Sequence, residues 1–161
     1  MIVYLRRNVS DVFSRYSVFD DKGNMRYDIV GKHSTSGEKI NILKGNEIVA
    51  KIRDFDLGLL NSFTIRSNGN LINIFVTKNS KGLSASFRNI SWRIRGDIMQ
   101  KNYDIVDLDN SLVCGVCAEY HRGFDSYKIE VFTEERELFC IATAVCLDLI
   151  KTAKTPALQM S

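Results

Sequence analysis

The chain has 161 residues, 45% of them hydrophobic and 25% charged, with a single proline and a formal net charge of +3. That balance excludes a disordered or collagen-like polymer, and the length accommodates one domain with a substantial core. The net charge conceals an asymmetry, because residues 1–102 carry seventeen Lys/Arg against nine Asp/Glu and residues 103–161 carry five against ten.

The first predicted strand, residues 1–6, opens on apolar Met1–Leu5 and runs straight into Arg6 and Arg7. A secretory signal has the reverse order, so a cytoplasmic location is expected, and four cysteines fit a core that needs no disulfide staple. A pattern then recurs: an alternating strand, a polar turn of Gly, Asn and Asp, and a second alternating strand. Strands 14–19 and 25–31 flank a turn at Gly23; strands 38–43 and 47–54 flank Gly45; strands 61–66 and 71–77 flank Asn68-Gly69. A tight hairpin turn needs positive φ, which glycine adopts without strain, and Asn-Gly is a strong hairpin signal in itself. Strands 82–88, 90–95, 102–107, 111–120 and 125–132 bring the count to twelve.

Hairpins in succession predict an antiparallel meander, and a meander of twelve strands closes into a β-barrel because closure removes exposed edges. Such a barrel has a lumen wider than side chains alone usually fill. The occupant is supplied by residues 138–150, Leu-Phe-Cys-Ile-Ala-Thr-Ala-Val-Cys-Leu-Asp-Leu-Ile, which are apolar almost all round. A helix without a polar stripe must be wrapped, and this run spans only about 20 Å against a bilayer core of about 30 Å. A central C-terminal α-helix inside the barrel is therefore predicted, with Thr133 as N-cap and Glu134, Glu135 and Glu137 in a first turn that favours anions. Lys151 and Lys154 stand at its other end. The domain is placed at 1–151, with 152–161 as a frayed tail. Strands from distant sequence become neighbours in a barrel, so the basic and acidic parts are expected to interleave rather than form separate faces.

Lys51-Ile-Arg53 and Arg93-Ile-Arg95 place cations at period two, so each pair shares one face of its strand. Arginine offers a planar fork to phosphate oxygens, which makes both pairs candidate anion sites, against the plainer reading of a solvated outer face. Arg6, Arg7 and Arg15 extend such a patch if their strands lie beside it. Cys114-Gly-Val-Cys117 has the spacing of a redox or zinc pair, but a strand sends 114 and 117 to opposite faces. Cys140 and Cys146 fall on the buried helix, so these cysteines read as core residues and no metal is implied. His33, near Ser34 and Ser36, and His121, near Asp125, lie in polar loops, and no nucleophile–base–carboxylate set emerges. Asp148 is a carboxylate in the apolar run, near a helix C-terminus that opposes it. It must reach water at the barrel mouth or meet an arginine or a backbone N–H, acting as a structural latch.

Taken in order, Tyr16-Ser-Val-Phe-Asp20-Asp-Lys-Gly23, Tyr27-Asp-Ile-Val-Gly31-Lys32, Lys39–Ile52, Trp92-Arg-Ile-Arg-Gly96, Tyr103-Asp-Ile-Val-Asp107 and the helix ending Val-Cys-Leu-Asp148 resemble the LURP-one-related proteins of the Tubby C-terminal-like superfamily. The resemblance covers roughly residues 1–150. It implies a twelve-stranded barrel around a central helix. Tubby-type members bind phosphoinositides through a dense cationic run after the strand that ends here at Gly31. In this chain that stretch is Gly31-Lys-His-Ser-Thr-Ser-Gly37, with Lys32 its one full cation. The expectation is a non-enzymatic domain, without cofactor, that binds an anionic phospholipid headgroup or membrane surface through Lys32, Lys51, Arg53, Arg93 and Arg95. A protein–protein or structural module is the alternative, and nucleic acid is disfavoured because no RNA-recognition signature accompanies the basic strands.

Overall fold

The computed structural model describes residues 1–8, 14–32, 39–121 and 124–159, excepting the side chains of Ser14, Lys32, 120, 121, 124, 125 and 151–159. Apolar–polar alternation gives each segment one dry and one wet face, and twelve strands result. They are β1 (Ile2–Arg7), β2 (Ser14–Asp20), β3 (Met25–Lys32), β4 (Lys39–Lys44), β5 (Glu47–Asp56) and β6 (Leu60–Ser67), then β7 (Asn70–Asn79), β8 (Gly82–Arg88), β9 (Arg93–Asp97), β10 (Asn102–Val106), β11 (Leu112–His121) and β12 (Phe124–Val131). The Asn68-Gly69 turn has positive φ at both residues, 50° and 76°, and closes Ser67 onto Asn70 as a two-residue hairpin requires. The β9 strand starts at Arg93 rather than at the expected residue 90. Asn89 turns the chain at φ 70°, and Trp92 tucks inward, edge-on to Phe87 at 5.9 Å between centroids.

All pairing is antiparallel, and the sheet runs β8-β7-β6-β5-β4-β3-β2-β1-β12-β11-β10-β9. Its ends are β8 and β9, so the barrel is nearly closed rather than closed. At that seam the Phe87–Trp92 contact stands where a backbone ladder was expected. Because a meander keeps sequence neighbours side by side, β1–β8 form one continuous arc and β9–β12 the other. The basic and acidic parts of the chain thus do not interleave in the sheet, contrary to expectation. They meet at the β1–β12 and β9–β10 boundaries, the second carrying the Arg95–Asp104 pair, and through the helix.

A 3-10 turn, Glu134–Arg136, leads into α1 (Glu137–Gln159). Thr133 is extended and makes no side-chain cap; its carbonyl accepts the Arg136 amide at 2.9 Å instead. The helix backbone, Glu137–Gln159, is longer than the expected 138–150 and continues over residues assigned to the tail. Every residue from Phe139 to Ile150 is buried. Fully buried wall residues such as Leu5, Val18, Ile29, Ile42, Phe63 and Ile129 belong to the same core as this run. Thr143 satisfies its hydroxyl within the helix, donating to the Phe139 carbonyl at 2.7 Å. Among the described residues, no helix is long and apolar enough to cross a membrane.

Candidate functional site

Residues directly opposite in an antiparallel pair share a face. On the outer face of β4, β5 and β6 this rule sets Lys39 against Arg53, Asn41 against Lys51, and Lys51 against Arg66. Four exposed cations are thereby packed onto three adjacent strands. Like charges placed opposite each other destabilise a sheet. Among the described residues, none of Lys39, Lys51 and Arg66 has an ion-pair or hydrogen-bond partner, and the Arg53 guanidinium lies over the Phe55 ring at 5.7 Å. These side chains border a groove of about 850 Å³ that Val30, Gly31, Asn41 and Ile52 also line. A smaller recess of about 260 Å³ shares Lys51 and Arg66 and reaches the Asn68-Gly69 turn. Gly31 makes room for its neighbours: a Cβ there would come within 2.8 Å of Arg15 Cδ and 3.3 Å of Ile40 Cγ1. Arg15 is thus held against β3 where Gly31 meets the groove.

The arrangement brings together Lys51 and Arg53 of the residues expected to bind an anion. Lys32 pairs through its backbone with Lys39, and its side chain lies outside the described residues. Arg93 and Arg95 are elsewhere: β9 is the far edge of the sheet, four strands from β5 across the seam. There Arg93 donates to Asn110 Oδ1, and Arg95 pairs with Asp104 at 3.5 Å. Arg7 points to Asp148 and contributes nothing to the groove. His33, Ser34 and Ser36 lie outside the described residues, as do the side chains of His121 and Asp125. Cys114 is buried and Cys117 exposed, and among the described residues no three His, Cys, Asp or Glu are placed to hold a metal.

Lys39 and Arg66 were not anticipated. A two-residue turn at Gly45-Asn46 with unbroken register would set Lys39 opposite Ile52 and turn it away from Arg53. A bulge between Ile42 and Leu43, with Val49 as the extra residue on β5, shifts the pairing by one and aligns the two cations. The Lys39–Arg53 pair is a consequence of that bulge and the Lys51–Arg66 pair of the β5–β6 register, and no local sequence signal announces either.

The second polar cluster holds the helix. The Asp148 carboxylate, 1% exposed, accepts two hydrogen bonds from Arg7 Nη2 at 2.6 and 2.7 Å and one from the Tyr16 hydroxyl at 2.5 Å. The Tyr127 hydroxyl donates to it as well, and Lys101 Nζ stands 3.7 Å away. Burial alone would raise the Asp148 pKa, but Arg7 and the two hydroxyls outweigh it and hold the carboxyl below its ordinary value of 3.8. Burial, and then the neighbouring carboxylate, push Tyr16 and Tyr127 upward, so both remain donors. At the other end of the buried run, Arg26 grips Glu137 with two bonds of 2.9 Å, and the Tyr27 hydroxyl adds a third at 3.3 Å. The plug is therefore pinned at both ends by arginines from the basic arc.

A nearly closed antiparallel barrel of twelve strands, filled by its own C-terminal helix, defines the class as a helix-plugged β-barrel. The LURP-one-related family model matches residues 1–148, and the chain belongs to that family. The fold is also similar to an X-ray structure of a protein from Arabidopsis thaliana, with a TM-score of 0.64 over 93% of this chain and 91% of that one. The two are 15% identical, so that likeness is one of fold alone. No curated protein matches the chain in sequence.

Proposed function

We propose that this barrel is a non-catalytic, membrane-peripheral domain whose groove takes the phosphorylated headgroup of an anionic phospholipid. The observation that carries the reading is the pair of cross-strand like-charge contacts, Lys39 with Arg53 and Lys51 with Arg66. Folding places these charges together at a cost that a bound polyanion offsets. Arginine forks suit phosphate oxygens, and lysines supply mobile point charges beside them. An acidic segment of a protein partner is the second reading, since charge alone does not choose between phosphate and carboxylate.

The test is co-sedimentation with phosphatidylcholine vesicles, with and without a minority of a phosphatidylinositol phosphate. Binding should require the anionic lipid. Lys51→Glu, which gives Arg66 an opposite charge across the strand, should abolish binding while leaving the melting temperature unchanged or higher. Undiminished binding by that variant would remove the groove from the account. Binding of polyglutamate without any vesicle binding would favour the protein partner.

A further inference from the structure

We infer that the hairpin joining β5 to β6 is an apolar anchor that enters the bilayer beside the groove, so that the ligand is a phosphorylated lipid in a membrane rather than a free phosphate. This rests on the groove reading above and specifies how that site meets its ligand.

The hairpin tip is Leu57-Gly58-Leu59, and its two leucines are 67% and 76% exposed, among the most exposed large apolar side chains of the molecule. Phe55, also exposed, stands on the same outward line of β5 as Lys51 and Arg53. A cationic stretch therefore passes without interruption into an apolar tip. The tip is built rather than slack. Leu57 N–H donates to the Leu60 carbonyl at 2.8 Å, Gly58 N–H to Asp56 Oδ1 at 2.9 Å, and Lys78 N–H to the Leu59 carbonyl at 3.1 Å. The Lys78 ammonium donates to the Gly58 carbonyl at 3.1 Å. Gly58 has φ +88° with nothing within 4 Å of a Cβ position, and the leucines on either side of it are both exposed. Backbone groups already satisfied within the protein can enter an apolar phase at much lower cost than bare ones.

The dimensions agree. Arg53 lies four residues before Leu57, about 13 Å along the strand and about 10 Å along the barrel axis at a usual strand tilt. Apolar segments of interfacial proteins sink about 5–10 Å into the headgroup and acyl boundary. Leucines at that depth set Arg53, with Lys39 across the strand from it, at the level of the lipid phosphates. Lys51 and Arg66 then stand one step higher, within reach of a headgroup that projects from the membrane. The hairpin's acidic residues do not oppose this. Asp54 is on the inward-facing side of β5, and Asp56 is turned back onto the Gly58 amide beside Lys78.

The experiment pairs two variants with two probes. Vesicles of phosphatidylcholine containing a phosphatidylinositol phosphate report the membrane, and soluble inositol trisphosphate, followed by calorimetry, reports the groove. The double variant Leu57→Ser, Leu59→Ser changes only exposed side chains. It should bind vesicles at least about tenfold more weakly, the apolar burial lost from two leucines being worth that much or more, while keeping its affinity for inositol trisphosphate. Lys51→Glu should lose both probes. Unchanged vesicle affinity in the leucine variant would overturn the anchor and leave the groove standing. Vesicle binding that falls with the leucines but not with Lys51→Glu would overturn the groove reading and this inference with it. A direct readout comes from Leu59→Trp, whose fluorescence should be quenched by bilayers carrying brominated acyl chains; no quenching would also overturn the anchor.

Discussion

At the scale of single residues, the most consequential side chain is Asp148. A carboxylate in a dry helix is tolerable here because Arg7, Tyr16 and Tyr127 all donate to it, with Lys101 nearby. Removing one partner of a buried charge pair costs about 3–5 kcal/mol, most of it from the charge left behind. Asp148→Ala should therefore lower stability by that order in a urea titration. The pH dependence follows from the lowered carboxyl pKa. A group with a lower pKa in the folded than in the unfolded state contributes fully above its unfolded value and loses that contribution as pH falls through the folded one. The stability gap between the natural protein and Asp148→Asn should thus be flat above about pH 5 and shrink below about pH 4. A gap that persists unchanged down to acid would show that the carboxylate charge is not what the site stabilises.

At the scale of elements, the helix and the hairpins differ in how much of them the sequence reveals. The buried run is legible because it lacks a polar stripe, and wrapping it leaves one economical solution, a surrounding wall. The hairpin turns are legible because Asn68-Gly69 and Gly45 advertise positive φ. The groove is only half legible. Lys51 and Arg53 follow from period-two alternation, but Lys39 enters through the bulge on β5 and Arg66 through the β5–β6 register, neither of which has a local signature. Arg93 and Arg95 have the same sequence pattern as Lys51 and Arg53 yet lie four strands away, because alternation reports a face and not a position round the barrel. Enclosure of the helix has a chemical consequence. Cys114, Cys140 and Cys146 are buried and Cys117 is exposed. The Cys140 thiol is pushed up by its contact with Cys114 and by burial, and Cys146 by burial. Thiolate, not thiol, is the reactive form. In the native protein one thiol, Cys117, should react promptly with a disulfide reagent, and the other three at the rate of unfolding. Prompt reaction of all four would mean that the plug is not held in the wall.

At the scale of the whole molecule, the meander decides the electrostatic shape. Residues 1–102, with their excess of seventeen cations over nine anions, supply β1–β9, while the acidic remainder supplies β10–β12 and the helix. Two of its carboxylates, Glu137 and Asp148, are consumed inward by Arg26 and Arg7. The charges left on the outside are therefore polarised round the barrel, with the groove and the Leu57-Gly58-Leu59 tip both on the basic arc. A field of this kind orients the protein before contact and acts chiefly on the rate of encounter. It is screened beyond a Debye length of about 10 Å at 0.1 M salt, whereas apolar insertion is not screened. Association with anionic vesicles, followed by stopped flow, should slow about tenfold or more between low and high salt, while dissociation changes little. In Leu57→Ser, Leu59→Ser the balance should invert, with a near-natural association rate and a faster release. If salt instead accelerates release and leaves encounter untouched, the basic arc does not steer the protein, and the groove acts only after the tip has already engaged.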